Sequence, residues 1–297
     1  VVSELHSKVI WGENSLSLPI LGVEETVRSF TRQQLVDYVQ SYYIPENSVI
    51  SICGNVNIGE VEALVDHYFG KWVSKNKIIT HYPSSEIQKG SAYKTKEIEQ
   101  LHISLGMKGL PTGDNDIYPL VLLNNVLGGG VSSLLFQKVR EEYGLCYTIY
   151  SYMTSFNNTG VINIYTSLNP NYAVDALQLI KEELEIFINS SIDGEKLIKA
   201  KEQIKGNYIL GLESTSSRMF SNGKSALFLN KINRPEEIIK KIDDITTEKL
   251  QEVMERTFAN NILNAAFVGS KINIDKYNEV INLEKVAFKQ DTNSKLV

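Results

Sequence analysis

The sequence predicts an α+β fold made of two duplicated α/β sandwich domains, the first present only as its C-terminal part. Three observations carry this expectation. Strand-like alternation is confined to segments lying apart from a block of long helical periodicity, which argues for an antiparallel or mixed sheet rather than a doubly wound one. A helix–strand phrase near the N-terminus recurs without a gap 215 residues later. The chain has 297 residues, 42% hydrophobic and 22% charged, enough for about two globular domains.

Taken in order, Thr31 to Tyr43 has Leu35, Val36, Val39, Tyr42 and Tyr43 on one helical stripe. Thr31 and Gln34 have the spacing of a capping box, and Pro45 with Asn47 ends the helix. Val49 to Cys53 then reads as a buried strand closing on Gly54. Ile58 to Phe69 reads as a second helix, capped by Asn57 with Glu60 three residues on.

The phrase Phe30-Thr31-Arg32-Gln33-Gln34-Leu35 is echoed by Ile245-Thr246-Thr247-Glu248-Lys249-Leu250. The same offset pairs Val39 with Met254, Tyr43 with Phe258 and Gly54 with Gly269. An interval this long indicates duplicated domains, not a solenoid, although two helix–strand units can also resemble one another by chance. The second copy begins near Ser91, after the polar stretch from Ser74 to Gly90. If the copies are equal, roughly 125 residues of the first would precede Val1, in a parent of roughly 420 residues. The expected division is therefore 1–73 as the end of a first domain, 74–90 as linker, 91–270 as a second domain and 271–297 as a tail.

Within the second copy, Lys96 to Gly106 alternates as a half-buried strand, and Pro111 with Gly113 makes a turn. Tyr118 to Leu127 is an apolar helix, and Gly128-Gly129-Gly130 separates it from a further helix, Ser132 to Glu142. Strands at Cys146 to Thr154 and Gly160 to Ser167 flank an Asn157-Asn158 hairpin signal. Helices follow near Pro170–Ile188, Gly194–Glu213, Thr215–Leu229 and Pro235–Ile242.

Composition excludes several functions. Thirty basic against 35 acidic residues give a net charge of −5, the wrong sign for neutralising nucleic-acid phosphates. No apolar run approaches the ~18 residues that span a bilayer, so no membrane partner is expected. The pattern of a secretory leader is absent, and two thiols 93 residues apart, Cys53 and Cys146, fit a reducing compartment. The expected location is cytoplasmic. The four histidines, His6, His67, His81 and His102, include no pair four apart, so neither H-E-x-x-H nor H-x-x-E-H is present. No metal site is expected in this chain.

Two motifs near Gly128 bear on chemistry. Glycines at 128–130 suggest an anion-cradling loop, but the Gly-Lys-Ser/Thr of a phosphate loop is missing; close packing or a mobile loop between helices is the other reading. Arg140 and Tyr147 stand seven apart on either side of Gly144. Both can donate hydrogen bonds to one carbonyl oxygen or oxyanion, and both can equally be a solvated arginine and a tyrosine packed with Tyr150 and Tyr152.

The run from Leu127 through Arg140-Glu-Glu-Tyr-Gly-Leu-Cys-Tyr147 to Tyr152 resembles the second-domain signature of the pitrilysin/insulinase zinc metallopeptidases, in the two-domain, mitochondrial-processing-peptidase-like branch. Asn14 to Val27, Thr31 to Gly54 and Lys201 to Arg218 resemble other stretches of that family, so the likeness covers nearly all of residues 4–270. The resemblance implies a zinc endopeptidase whose first domain holds H-x-x-E-H and a ligand Glu, with the motif Glu as general base. None of these lies in this sequence, so the zinc would belong to the full-length parent and this chain alone would be inactive.

The resemblance further implies that Arg140 and Tyr147 bind the peptide backbone and the tetrahedral intermediate in a closed chamber, with Gly128, Gly129 and Gly130 as a substrate-side loop. It implies a peptide substrate and a homodimer or heterodimer with a family member, each half serving the other's zinc site. Leu134 and Tyr143 depart from the family, which commonly has basic residues there, so acidic peptides would be held less well. A non-catalytic partner or structural core subunit of the same family is the alternative, and a plain peptide-binding module is a third reading.

Overall fold

The computed structural model describes residues 1–73, 85–190, 192, 194–259 and 261–286. In chain order the helices and strands are α1 (Val2–Trp11), α2 (Glu24–Ser29), α3 (Arg32–Tyr42), α4 (Ile58–Phe69), β1 (Gly90–Thr95), β2 (Leu101–Lys108) and α5 (Ile117–Gly128). They continue as β3 (Thr148–Ser155), β4 (Gly160–Leu168), α6 (Ala173–Asn189), α7 (Gly194–Gly211), α8 (Thr215–Leu229), α9 (Pro235–Asp243), α10 (Thr247–Phe258), β5 (Asn264–Gly269) and α11 (Ile274–Ile281). A π-helix, Phe136–Glu142, lies between α5 and β3. Among the described residues, no helix is long and apolar enough to cross a membrane.

The chain forms two compact units. The first comprises the described residues of Val1–Pro19, Ser84–Leu197 and Thr246–Val297; the second is Ile20–Pro83 with Ile198–Ile245. These groupings cut across the sequence-based division, since α1 belongs with the strands of the second copy. Residues 74–84 of the expected linker lie outside the described residues, and Gly90 already opens β1.

The first unit is built on a five-stranded mixed sheet of order β1-β5-β2-β4-β3, with β1 parallel to β5 and the other pairs antiparallel. Alternation along β2 explains its two faces. Leu101, Ile103, Leu105 and Met107 point one way and are fully buried, joined by Ile162 and Ile164 of β4 and Phe267 of β5. Helices α5, α6, α10 and α11 supply the rest of this core, through Leu120, Leu123, Leu177, Ile180, Val253 and Phe258. Phe187 of α6 meets Phe258 of α10 edge-on at 5.7 Å, and Phe267 meets Tyr277 of α11 at 5.1 Å. Helix α11 occupies the stretch expected to be a tail. Its signal was present in the Asn273 cap and in Ile274, Tyr277 and Ile281 on one face.

The opposite face of β2 and β5 carries His102, Ser104 and Asn264 beside Ala266 and Val268, and it receives α1. His6 is buried there: its Nε2–H donates to Asn264 Oδ1 (2.7 Å) and its Nδ1 accepts from Ser104 Oγ (2.8 Å). Asn264 Nδ2 in turn donates to the Gln88 carbonyl (3.1 Å). Gly106 beside them has no room for a Cβ, which would lie 2.1 Å from Asn264 Oδ1 and 3.0 Å from the imidazole. Burial lowers the His6 pKa from 6.5 to about 4, the hydrogen bonds to Asn264 only partly offsetting it.

In the second unit, the capping box of α3 is formed as the sequence predicts. Thr31 N–H donates to Gln34 Oε1 (2.8 Å) and Gln34 N–H to Thr31 Oγ1 (3.3 Å). Asn57 caps α4 through Gly59 and Glu60 N–H. The expected buried strand, however, is not one. Val49 to Cys53 pairs with no described strand, and Val49, Ile50 and Ile52 are 42–49% exposed. The counterpart segment is β5, which has β1 on one side and β2 on the other; among the described residues the second unit offers no such neighbours. An open cleft of about 650 Å³ lies beside Ile50 and Ile52, lined also by Val61 and Val65 of α4. The stripe on α3 is bare for the same reason: Leu35 and Tyr43 are 55% and 63% exposed, against 2% and 0% for Leu250 and Phe258.

Two outcomes follow. Because the folded pKa of His6 lies below its unfolded value, the unfolded chain binds more protons between pH 4 and 6.5, so stability is fully present above 6.5 and is lost as pH falls toward 4. Urea titrations should show wild type losing about 3 kcal/mol over that window relative to a His6→Leu variant; parallel pH profiles would refute a neutral buried imidazole. Phe258→Ala should cost about 3–5 kcal/mol, whereas Tyr43→Ala, at the matching place in the repeat, should cost less than about 1 kcal/mol. Equal losses in chemical unfolding would contradict the asymmetry between the copies.

Candidate functional site

The residues singled out in the sequence lie along one stretch of the first unit, from the end of α5 to the start of β3. Gly128 ends α5 against Ser151 of β3, where a Cβ would come within 2.6 Å of the Ser151 amide nitrogen and Oγ. Ser151 Oγ donates to the Asn124 carbonyl (3.1 Å), so the strand and the helix end lock together. Gly128 is thus buried by packing. Gly129 is exposed, and the Gly130 carbonyl accepts from the amide (3.0 Å) and hydroxyl (2.5 Å) of Ser133, closing the turn between the helices.

The next helix differs from the ordinary one expected over Ser132 to Glu142. Its main part is a π-helix, with Tyr143 N–H donating to the Lys138 carbonyl at 3.1 Å, five residues back. Such wide turns are uncommon and concentrate at functional sites. Leu145 N–H then donates to the Val139 carbonyl (2.9 Å), and Gly144 at φ +61° turns the chain toward β3. This left-handed position has open space around it, so the conformation rather than crowding calls for glycine. Tyr147 is fixed to β4 by its N–H, which donates to the Ser167 carbonyl at 2.9 Å.

Across this turn Arg140 and Tyr147 meet. The Arg140 guanidinium carbon is 4.8 Å from the Phe136 ring centroid and 5.9 Å from that of Tyr147. Both side chains reach solvent, Arg140 being 40% and Tyr147 70% exposed. The nearest carboxylate, Glu141, stands 3.7 Å from Arg140 Nε, beyond hydrogen-bond length. Lys138 is engaged by Glu142 at 2.6 Å, which raises its pKa, and burial raises that of Glu183 on α6. The arrangement presents a forked cationic donor and a phenol to the same solvent region.

The cysteine beside this turn is not poised to react. Cys146 is buried, and burial pushes its thiol above the ordinary value, which disfavours the nucleophilic thiolate. Among the described residues, no three His, Cys, Asp or Glu side chains gather as a metal cluster; His81 lies outside them.

A polar aromatic cluster on the α1-facing side of the sheet was not singled out from the sequence. Tyr165 OH lies 2.7 Å from His102 Nδ1, and the Tyr150 ring is 5.1 Å from Tyr165 and 5.8 Å from Tyr152. Burial raises the pKa of Tyr152 and Tyr165 and lowers that of His102, favouring the neutral form of each. The even spacing of Tyr150 and Tyr152 marked a common strand face. Their meeting with Tyr165 depended on the β3–β4 register, which pairs Tyr150 with Tyr165.

Comparison with known proteins places these features in context. Residues 29–204, more than half of the chain, match the family model described as peptidase M16 inactive domain. A Bacillus subtilis protein named uncharacterized zinc protease YmxG is 39% identical over 261 residues, covering 88% of this chain and 63% of that protein. A Mycobacterium leprae uncharacterized zinc protease is 30% identical over 272 residues, covering 90% of this chain and 61% of that one. The chain therefore spans somewhat under two thirds of these relatives. Among solved structures, the peptidase M16 inactive domain from Pseudomonas fluorescens superposes with a TM-score of 0.83 at 19% identity, covering 91% of this chain and 65% of that one. A protease from Helicobacter pylori gives 0.80 at 22% identity, covering 89% and 65%. At these identities the structural matches speak to the fold.

Proposed function

The chain belongs to the peptidase M16 family, and from that premise we propose that it is the substrate-binding half of a zinc-dependent endopeptidase. Arg140 and Tyr147 donate hydrogen bonds to the scissile carbonyl oxygen and hold the charge that develops on it. The observation that carries this reading is their juxtaposition, 5.9 Å from guanidinium carbon to ring centroid, with both side chains open to solvent. A carbonyl placed between them would receive one donor from the guanidinium fork and one from the phenol, the arrangement that stabilises a tetrahedral oxyanion. In the same proposal, a peptide backbone would run past Gly129 and Gly130 as part of a substrate-side loop.

The zinc of such an enzyme is not matched by the described residues. Both ring nitrogens of His6 are hydrogen-bonded in the core, and His102 is bonded to Tyr165. In this proposal, activation of water is assigned to a zinc-binding domain outside this chain, while Arg140 and Tyr147 bind the carbonyl and stabilise the charge that develops on its oxygen. The relatives named zinc proteases support the metal dependence of the complete enzyme. A dimer with a family member, each contributing one side of a closed chamber, is part of the same proposal. A non-catalytic partner subunit is the competing reading, and kinetics separate the two.

In the complete enzyme, Arg140→Ala should lower kcat about 100-fold while KM changes only a few-fold, the pattern of an interaction made in the transition state. Unchanged turnover would return Arg140 to a structural role. By the same account, metal analysis of this chain alone should find no stoichiometric zinc, and peptide digests no cleavage. One tightly held zinc per chain, with chelator-sensitive peptidase activity, would overturn the division of labour.

A further inference from the structure

We propose that Phe136 is a positioning residue: its ring holds the Arg140 guanidinium in the plane from which it can act together with Tyr147. This rests on the reading of Arg140 as a donor to a substrate carbonyl, and it adds a residue which that reading does not require.

Arginine carries a planar fork at the end of a flexible stem, and a flat aromatic surface can fix its orientation without consuming its N–H groups. Phe136 offers such a surface. Its ring centroid is 4.8 Å from the guanidinium carbon, nearer than the Tyr147 ring at 5.9 Å, so Arg140 lies in contact with both. The other described partner of Arg140 is Glu141, at 3.7 Å from Nε, too far to anchor it by a hydrogen bond. Lys138, the other cation of this turn, is taken by Glu142 at 2.6 Å, leaving Arg140 as the cation that faces the rings.

The backbone supports the same assignment. Phe136 and Arg140 both lie in the π-helical stretch, whose wider winding is confined to Phe136–Glu142. Residues four apart sit on nearly the same side of so wide a turn. Gly144 then directs the chain so that Tyr147 comes back beside them. An aliphatic side chain at position 136 would fill space but present no π face, leaving the guanidinium to rotate away from Tyr147.

The test is made on this chain in solution by NMR. In wild type, the Arg140 side-chain NεH signal should show ring-current displacement and cross-relaxation to both the Phe136 and Tyr147 rings. Phe136→Leu should abolish the contact with Tyr147, and Phe136→Tyr should restore it. A phosphinic peptide, whose tetrahedral anion mimics the hydrated carbonyl, then probes function without metal or turnover. Phe136→Leu should weaken its binding about two- to fivefold, the scale of one exposed cation–π contact, with recovery in Phe136→Tyr.

If the Arg140–Tyr147 contact persists in Phe136→Leu, the proposal is overturned. It also fails if Arg140→Ala weakens the probe and Phe136→Leu does not. If neither substitution affects the probe although Phe136→Leu loses the contact, the positioning stands and the reading of Arg140 as a substrate donor is the one that fails. Circular dichroism and thermal unfolding of Phe136→Leu distinguish a local reorientation from loss of the fold, and a variant that recovers neither contact nor binding as Phe136→Tyr counts against the stacking role.

Discussion

A central strand must find a hydrogen-bonding neighbour on each side, and the first unit depends on β5 meeting that demand. Asn264–Gly269 is buried along its whole length, so its backbone groups have no recourse to water. The parallel partner β1 and the antiparallel partner β2 satisfy them. Asn264, the one strongly polar side chain in the strand, is satisfied by His6 and the Gln88 carbonyl, which also fastens α1 to the sheet. With β5 in place, Phe267 meets Tyr277, β2 presents Ile103 and Leu105 to the helices, and β4 and β3 extend the sheet toward Arg140 and Tyr147. The second unit has the same type of helix–strand phrase, but among the described residues it has no such neighbours and Val49 to Cys53 pairs with no strand.

What the sequence revealed and what it left hidden divide along that line. Local chemistry was legible: the Thr31–Gln34 capping box, the Asn57 cap, the hairpin between β3 and β4, and α10 with its Thr246 cap are all formed. Burial was not, because an apolar stripe states what a helix needs and not whether a partner supplies it. Leu35 and Leu250 occupy equivalent places in the repeat, yet one is mostly exposed and the other in the core. Strand β1 escaped notice because Gly90–Thr95 has little apolar alternation, its pairing with β5 being a long-range fact.

The site shows the same mixture. The seven-residue interval and the intervening Gly144 were enough to suggest that Arg140 and Tyr147 can share a target. Their approach also depends on the π-helical winding, which no spacing rule announces, and on a backbone bond from Tyr147 to Ser167. Gly128, read with its neighbours as a substrate-side loop, is held in tight contact with Ser151. Cys146 is buried and His6 and His102 are hydrogen-bonded within the first unit, so the proposal rests on the Arg–Tyr pair.

The central claim is that Arg140 and Tyr147 act on one oxygen. A double-mutant cycle in the complete enzyme, using Arg140→Ala, Tyr147→Phe and the double variant, measures that directly through kcat/KM. Two donors to a shared oxyanion should be coupled, so the double variant should lose less than the sum of the single losses, by about 0.5–3 kcal/mol. Strictly additive losses, or none in either single variant, would contradict the account.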